Sequence, residues 1–487
     1  MKEIISILTK YCNNHGSYIR LAKLKELWMS DHLADECIFH KRMLALLCAK
    51  SIRMEFDRVY LERVWRQENY AAERLHAIRR LPSLEHDELP DVLCVGDLTL
   101  SVEQRDAVAS CLKNPLSLLM APAGSGKTTI AQAILQYSKA QNPLLCSPTG
   151  KAAKLLGTRT SRTSGTIHRM LGIKKADDFL ELEAMDDVDL ILVDEAGMLT
   201  IDMLSGLLRI APEGCRIVLL GDRNQLQAIG PGDVVNDLIA LGFPCNHLTA
   251  NHRIAEGANA LVNNVVHFDD IYLPWQLAED NSFQRRFSDD DSRLLDMVAA
   301  EAVNRCRRGE SVQTLTLRNV DVLELNRRIQ RRINPAFGKN TLATKAFHYV
   351  DGDRVIIIEN DYLQGCFNGE SGRLHIEDDG SYFVELEDGR CPGWSELEAP
   401  TKILPAYAIT VHRSQGSEYD TVLLYVPRCN RCILHRNSLY TGISRAKKKL
   451  ILFADPAAVG FALSTPPLKR DSSLIERFRA QELLLVG

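Results

Sequence analysis

Four short, predominantly apolar runs stand out in the first half of the chain. They cover residues 116–120, 144–146, 190–193 and 217–220, and small or polar residues follow each of them. Unbroken runs of leucine, isoleucine and valine are typical of strands buried on both faces of a parallel sheet. Helical patterns separate the runs, so residues 96–247 are predicted to form a doubly wound α/β domain.

The residues before this domain have a different pattern. Helical spacing and one alternating stretch predict three helices and a hairpin, at residues 2–11, 18–29, 36–49 and 52–61. This combination indicates a small winged-helix-like module. A long helix at about 68–81 and a proline-bounded linker at 82–90 complete an N-terminal module and linker of residues 1–95.

Two further segments have recognisable patterns in the second half. Residues 346–400 alternate polar and apolar positions between Asp-Gly turns, which predicts a small β-barrel insert. A helix is predicted at about 472–484, with no chemistry attached to it.

Composition narrows the class of protein. The 487 residues suffice for several domains, the 45% hydrophobic content suits globular cores, and the net charge of −4 provides no overall basic field. Nucleic-acid binding would therefore need a local positive groove. No apolar run approaches the roughly 18–20 residues of a membrane span, and no secretory signal is recognised. The thirteen scattered cysteines suit reduced thiols, so we expect a cytoplasmic protein without membrane association.

The loop after the run at 116–120 has the composition of a phosphate-binding loop. It contains Gly-Ser-Gly-Lys-Thr and leads into a helical pattern. In that setting backbone N–H groups surround the phosphates, Lys127 reaches the β- and γ-phosphates, and the Thr128 hydroxyl holds Mg²⁺. Ala121 replaces the glycine that usually begins this pattern, and we expect the site to survive that change. The predicted nucleotide contacts are Ala123, Gly124, Ser125, Gly126, Lys127, Thr128 and Thr129.

Polar residues after the later runs supply candidate catalytic groups. Asp194 can hold Mg²⁺, and Glu195 can orient and deprotonate an attacking water. Gln225 follows the last run and can touch the γ-phosphate. Upstream, Gln104 has two interpretations, because it can form a helix capping box with Ser101 or contact the adenine edge.

Two loops, at 147–154 and 164–169, combine hydroxyls, backbone donors and basic side chains. Such groups suit the phosphates of a polynucleotide, and an ordinary solvated loop is the alternative for each. The predicted nucleic-acid contacts in these loops are Pro148, Thr149, Lys151, Thr166 and His168.

Cysteine and histidine pairs raise the alternative of structural zinc. Two C-x-x-H pairs lie in the N-terminal module, and a third possible set lies near residue 430. The residues are Cys12, His15, Cys37 and His40 in the module, and Cys429, Cys432 and His435 in the third set. The other interpretation is that these residues lie along ordinary helix faces.

Taken in order, the nucleotide motifs resemble those of the RecD-type branch of superfamily 1 DNA helicases. The resemblance covers about residues 95–452, and its most specific segment is 406–418. The matching positions are Gln104, 124–128, 147–154, 166–169, 194–196, 221–226, 251–253, 325–328, 368–372, 406–418 and 439–447. Gly197 stands where the family has serine and Ile254 where glutamine is common, which affects details of γ-phosphate sensing.

The resemblance implies a fold of two RecA-like parallel-sheet domains. The first is residues 96–247, and the second comprises residues 248–345 and 401–487. The insert at 346–400 would be SH3-like and help confine a strand. Residues 172–188 would carry the small hairpin or pin that splits a duplex in relatives, with an ordinary solvated hairpin as the alternative.

Further site residues follow from the resemblance. Arg253 would lie near the γ-phosphate, and Arg445 would act as an arginine finger supplied by the second domain. The resemblance also places Gly416 and Glu418 at the nucleotide and His412 and Ser414 in the DNA groove.

The expected function is ATP-dependent 5′→3′ translocation on single-stranded DNA and unwinding of DNA, with ATP and Mg²⁺ as cofactors. Single-stranded DNA and duplex junctions are the expected partners. The alternative is a DNA-binding ATPase subunit that recruits or powers a nuclease or a repair or defence complex, since no nuclease metal set stands out in the chain. A preference for RNA instead of DNA is a third interpretation.

Overall fold

The computed structural model describes residues 1–31, 36–84, 89–122, 124–249, 280–336, 339–361, 363–396, 398–428 and 433–484. Its first elements are α1 (Lys2–His15), β1 (Tyr18–Arg20), α2 (Leu21–Asp31), α3 (Glu36–Cys48), β2 (Ile52–Glu55) and β3 (Arg58–Leu61). The strands form an antiparallel sheet in the order β1–β3–β2, and Ile4, Trp28 and Phe39 share a core with it. Residues 18–20 form a strand where a helix was expected. The winged-helix-like character stays a prediction.

Helix α4 (Glu62–Arg79) begins earlier than the predicted helix at 68–81. Its apolar residues Val64, Leu75 and Ile78 share one core with Leu116 of the following sheet. The helix therefore packs as an outer layer of the first α/β domain, although the sequence pattern placed it in the N-terminal module.

The first α/β domain, called the first lobe below, follows the predicted alternation. Its elements are β4 (Cys94–Val95), β5 (Leu98–Thr99), α5 (Val102–Lys113), β6 (Leu116–Met120), α6 (Lys127–Tyr137), β7 (Pro143–Ser147), α7 (Gly150–Thr160), β8 (Ser164–Thr166), α8 (Ile167–Met170), β9 (Leu190–Val193), α9 (Ile201–Ile210), β10 (Arg216–Gly221), α10 (Val234–Ala240) and β11 (Cys245–His247). A six-stranded parallel sheet has the order β11–β6–β10–β9–β7–β8. Because the strands are parallel, the loops after β6, β7, β9 and β10 meet at one edge.

The predicted hairpin at 172–188 is wrong. All residues of this segment are described, and they contain a 3-10 helix, Ala176–Leu180, and no strand. Phe179 is buried against Gly206 of α9, and the Asp178 carboxylate accepts two backbone N–H hydrogen bonds at 2.8 Å. The buried ring of Phe179 and the turn closed by the Asp178 carboxylate therefore hold the segment against the first lobe.

An insert interrupts the second α/β domain, called the second lobe below. The lobe begins with β12 (Phe283–Phe287), α11 (Asp291–Arg307), β13 (Val312–Thr316) and α12 (Asn319–Ile333). The insert contains β14 (Thr341–Ala343), β15 (His348–Val350), β16 (Arg354–Ile357), β17 (Ser371–Ile376), β18 (Tyr382–Leu386), β19 (Gly393–Trp394), α13 (Ala399–Lys402) and β20 (Ile403–Pro405). Five of these strands form an antiparallel sheet in the order β19–β18–β17–β16–β20. Its SH3-like character stays a prediction.

The second lobe resumes with β21 (Ala408–Thr410), β22 (Tyr419–Val426), α14 (Arg436–Ile443), β23 (Ala446–Ala454) and α15 (Pro456–Ser464). Its five-stranded parallel sheet has the order β12–β23–β22–β13–β21. The two parallel-sheet lobes confirm the predicted α/β class. Among the helices described here, none is long and apolar enough to cross a membrane.

The last helix, α16 (Leu474–Leu484), lies outside the second lobe. Phe478 belongs to the core that α4 shares with the first lobe, and Arg477 forms an ion pair with Glu55 of the N-terminal module at 2.7 Å. The prediction that residues 401–487 all belong to the second lobe is therefore wrong at both ends, because β20 (Ile403–Pro405) pairs within the insert sheet and α16 packs on the first lobe. The apolar pattern of an amphipathic helix predicts that one face is buried but not which part of the protein covers that face, so the position of α16 did not follow from its sequence.

Candidate nucleotide-binding site

The phosphate-binding loop joins β6 to α6. Gly124 and Gly126 have φ angles of 88° and 87°, a left-handed conformation that glycine adopts without strain. The Lys127 ammonium group donates to the carbonyl oxygens of Ala121 and the following proline, at 2.6 and 3.1 Å. The small Ala121 side chain is buried at the strand end. Ala123 lies outside the described residues.

Asp194 and Glu195 follow β9 directly. The Asp194 carboxylate accepts a hydrogen bond from the Glu195 backbone N–H at 2.8 Å. Desolvation by the surrounding protein and the charge of Glu195 raise the pKa of Asp194, against the opposing charge of Lys127. A cation beside Asp194 would relieve this unfavourable charge, so the oxygen atoms of Asp194 and Thr128 fit Mg²⁺.

A cavity of about 480 Å³ lies between the two lobes and the insert, within the usual size range of small-molecule sites. Of the predicted nucleotide residues, those that line it are Gly124, Gly126, Lys127, Thr128, Thr129, Gly416 and Glu418. Of the predicted catalytic and metal residues, Lys127, Thr128, Asp194, Glu195, Gln225 and Arg445 line it. Ser125 is buried in the loop itself, where its hydroxyl donates to the Pro122 carbonyl at 2.7 Å.

Arg445 reaches this cavity from the second lobe, just after α14. Its side chain is buried and donates to the carbonyl oxygens of Thr441 (3.1 Å) and Ser417 (3.3 Å) and to the Ser444 hydroxyl (3.0 Å). All three partners belong to the second lobe. The guanidinium group is therefore fixed by its own lobe while it shares a cavity with Lys127 of the other.

Gln104 lies behind the phosphate loop. Its side-chain oxygen accepts the Ser101 N–H at 3.0 Å, and the Ser101 hydroxyl accepts the Gln104 N–H at 3.2 Å, which is the capping box. The Gln104 amide nitrogen donates to the Ser125 carbonyl at 3.1 Å. Gln104 thus braces the loop from outside the cavity, and its contact with adenine stays a prediction.

The candidate DNA contacts of the first lobe lie at the starts of α7 and α8. Thr149 and Thr166 accept backbone hydrogen bonds at 3.4 and 3.2 Å and cap these helices, and Pro148 is partly exposed beside Thr149. His168 packs edge-on against Phe179 at 5.4 Å, and burial lowers its pKa. Lys151 differs from these residues, because it lines the nucleotide cavity and burial lowers its pKa.

The candidates of the second lobe differ in exposure. His412 is half-buried, and burial lowers its pKa. Ser414 is fully buried, and its hydroxyl donates to the Val411 carbonyl at 2.7 Å. The predicted contact of the Ser414 side chain with DNA is therefore corrected: the hydroxyl holds the turn after β21.

Sequence reasoning missed a set of side chains that join the lobes. The loop after β10, residues 222–226, forms five hydrogen bonds with side chains of the second lobe. They are Tyr440 Oη to Asp222 Oδ2 (2.7 Å), Asn437 Nδ2 to the carbonyls of Arg223 (3.5 Å) and Gln225 (3.0 Å), the Leu226 N–H to Thr441 Oγ1 (2.8 Å) and Gln415 Nε2 to the Leu226 carbonyl (2.8 Å). The motifs identified both segments but gave no signal that pairs these individual side chains.

A second missed contact joins the insert to α7. Lys154 forms an ion pair with the buried Glu370 at 2.8 Å and another with Asp388. Arg390 contacts the same two carboxylates. These four side chains form part of the cavity wall, so the insert closes a side of the cleft that the motifs assigned to the lobes alone.

Two sequence predictions remain without a structural description. Arg253 lies outside the described residues, as do Cys429 and Cys432. In the N-terminal module Cys12 is buried in the apolar core, whereas Cys37 is exposed. No group of three or more potential metal-ligating side chains occurs in the described ranges. The apolar surroundings of Cys12 favour the helix-face interpretation over zinc.

Two parallel-sheet lobes share one cavity, with a phosphate loop and paired acids on one lobe and an arginine on the other, and this arrangement suits the binding and hydrolysis of a nucleoside triphosphate. Two family models match the chain: an AAA domain at residues 99–271 and a UvrD-like helicase C-terminal domain at residues 405–453. The chain also resembles a crystal structure of Bacteroides Pif1 bound to ssDNA, with a TM-score of 0.50 and 19% identity over 80% of this chain and 98% of that one. That likeness concerns the fold alone.

Curated relatives narrow the class. The chain is 29% identical over 451 residues to the ATP-dependent RecD2 DNA helicase of Deinococcus radiodurans, covering 89% of this chain and 60% of that protein. It is 27% identical over 475 residues to the RecBCD enzyme subunit RecD of Mycolicibacterium smegmatis, covering 88% of this chain and 83% of that subunit. The chain is therefore similar in sequence to proteins named RecD2 and RecD, which confirms the resemblance to RecD-type superfamily 1 helicases found in its motifs.

Proposed function

We propose that this chain is an ATP-dependent DNA helicase that moves 5′→3′ along single-stranded DNA. The observation that supports this most directly is the shared cavity, which Lys127 and Glu195 line from the first lobe and Arg445 from the second. A triphosphate in this cavity touches both lobes, so its hydrolysis changes how firmly they hold together. Repeated closing and opening of the two lobes moves them along a bound strand.

Each side chain has a distinct part in hydrolysis. Lys127 binds the β- and γ-phosphates, and Thr128 and Asp194 would hold Mg²⁺, which supplies charge neutralisation when bound. Glu195 takes a proton from water as the water oxygen bonds to the γ-phosphorus and the bond to the bridging oxygen breaks, giving ADP and phosphate. Arg445 stabilises the charge that develops on the γ-phosphoryl oxygens.

The strand would lie across the carboxyl edges of the two sheets. Pro148, Thr149, Thr166 and His168 of the first lobe and His412 of the second are the candidates for contact with its phosphates. Helix starts, hydroxyls and backbone N–H groups suit phosphates more than base edges, so we expect little sequence preference and strong salt dependence.

The test is the Lys127→Ala variant, compared with wild type in ATP hydrolysis with and without single-stranded DNA. Loss of the ammonium group that binds phosphate should abolish stimulated hydrolysis. Lys113→Ala is the matched control, because Lys113 is exposed at the end of α5 and away from the cavity. Hydrolysis by Lys127→Ala at the wild-type rate would refute the assigned site.

A second function is a DNA-binding ATPase subunit that powers a partner nuclease. The observation that favours it is the similarity to a RecBCD enzyme subunit over most of that subunit's length. DNA-stimulated hydrolysis without strand separation by the purified chain would support this second function. Competition by single-stranded RNA in the same hydrolysis assay decides between DNA and RNA.

A further inference from the structure

Asp222 forms part of the contact between the two lobes. Its side chain is 3% exposed. Oδ1 accepts the backbone N–H of Asn224 at 3.0 Å, and Oδ2 accepts the Tyr440 hydroxyl at 2.7 Å. Oδ2 also accepts the side-chain amide of Gln225 at 3.3 Å. Three donors therefore converge on one buried carboxylate, and one of them comes from the other lobe.

This carboxylate fixes which end of the Gln225 amide faces it. A carboxylate that already receives two donors offers only acceptor atoms, so the NH₂ group of Gln225 must point toward Asp222. The opposite atom, Oε1, is buried and has no hydrogen-bond partner among the described residues. Gln225 lines the cavity together with Glu195 and Arg445. Its orientation there depends on Asp222.

Tyr440 in turn holds Asp222 from the second lobe. It is 1% exposed on α14, the same helix whose Thr441 carbonyl accepts a hydrogen bond from Arg445. Asn437, one turn earlier, donates to the carbonyl of Gln225. Helix α14 therefore contacts the loop of the first lobe and also holds Arg445, which lines the cavity.

We infer that Tyr440 and Asp222 are positioning residues that orient Gln225 for hydrolysis only while the two lobes are in contact. Tyr440 donates to Asp222, Asp222 accepts the Gln225 amide, and Gln225 is thereby held in the wall of the cavity that Glu195 and Arg445 also line. When the lobes separate, the Tyr440 hydroxyl leaves and the carboxylate loses the donor that holds it in place. ATP hydrolysis therefore depends on contact between the lobes. This inference rests on the proposed function and adds the residues that make hydrolysis depend on closure.

The main variant is Tyr440→Phe, which removes one hydroxyl and keeps the ring. Since a hydrogen bond to a charged group is lost, kcat for DNA-stimulated ATP hydrolysis should fall about tenfold. KM and the equilibrium affinity for a non-hydrolysable ATP analogue should stay within about twofold, because Lys127 and Arg445 still bind the phosphates. Asp222→Asn, which cannot accept all three donors, should reproduce this pattern.

Tyr425→Phe is the matched control. Tyr425 is fully buried in β22 of the same lobe, and its hydroxyl has no partner among the described residues. The same chemical change there should leave kcat unaltered. Thermal unfolding of all variants shows whether a loss of kcat accompanies a loss of folding.

A double-variant comparison separates this relay from a general packing role. In a Gln225→Ala background, Tyr440→Phe should cause no further loss of kcat, because the group it positions is gone. Unchanged kcat in folded Tyr440→Phe, an equal loss in both backgrounds, or a loss of analogue affinity would each overturn the inference. A wild-type chain without nucleic-acid-stimulated hydrolysis would instead contradict the proposed function and remove the relay with it.

Discussion

Replacement of Arg445 tests the site most severely among the single variants. The side chain is 3% exposed and lies in the cavity with Lys127, and its three hydrogen bonds all go to the second lobe. Its position is therefore set before a nucleotide binds, and its charge acts where the γ-phosphate charge develops.

The expected loss of kcat follows from the position of Arg445 in the cavity. An arginine finger contributes about 10³–10⁵ to kcat, so Arg445→Ala should lower kcat at least about 10³-fold, equivalent to about 4 kcal/mol of transition-state stabilisation. Arg445→Lys keeps a charge but loses the fixed fork of N–H donors, and we expect a loss of about 10²-fold. ATP affinity should change much less than kcat, since Lys127 still binds the phosphates.

Single-turnover ATP hydrolysis with saturating single-stranded DNA measures the first effect, and titration with a fluorescent ATP analogue measures the second. Lys448→Ala is a nearby control, because Lys448 is exposed and forms a surface ion pair with Asp420. Arg445→Ala also leaves buried carbonyl groups without a hydrogen-bond donor, which lowers stability by about 1–3 kcal/mol. Thermal unfolding of the variant measures this loss separately from the loss of kcat. Hydrolysis by folded Arg445→Ala at a rate near that of wild type would refute the role of this arginine.

Three further predictions concern the structure around the site. Burial and the charges of Asp233 and Glu68 raise the pKa of Asp237 to about 8, against the hydrogen bond from Ser472. The folded state therefore keeps a proton that the unfolded chain releases, so the free energy of unfolding should fall as the pH rises from about 4 to 8. Asp237→Asn should flatten that pH dependence in thermal unfolding. Glu370→Gln leaves Lys154 and Arg390 without their buried partner, so hydrogen exchange in residues 366–392 should accelerate, whereas the exposed Glu377→Gln should not change it. Phe478→Ala should lower the free energy of unfolding in urea by about 3–5 kcal/mol, whereas Leu483→Ala, 75% exposed, should change it little; equal effects of the two would show that α16 is not packed as described.

The apolar runs predicted the first lobe well because parallel strands buried on both faces leave a strong local signal. Once those strands are parallel, their carboxyl ends must share an edge, so the meeting of Lys127 with Asp194 and Gln225 follows from the pattern itself. The second lobe was predictable mainly through the family resemblance. The same resemblance predicted that Arg445 lies near the bound nucleotide.

Other features depend on contacts that no local pattern encodes. Tyr440 and Asp222 are 218 positions apart, and nothing in either segment identifies the other. The acidic stretch at 172–188 resembled a solvated hairpin because its eight charged residues outweigh the few apolar residues, Phe179 and Val188 among them, that pack on the core. The same limit applies to α16, whose buried face could not reveal that α4 and the first lobe cover it.

The most direct measurement of the central claim is strand separation by the purified chain on two matched duplexes, one with a 5′ single-stranded tail and one with a 3′ tail. A nucleotide held between Lys127 and Arg445 that drives movement along DNA predicts ATP-dependent unwinding of the 5′-tailed duplex, none of the 3′-tailed duplex, and none by Lys127→Ala. Unwinding that proceeds without ATP, or only from the 3′ tail, would contradict it.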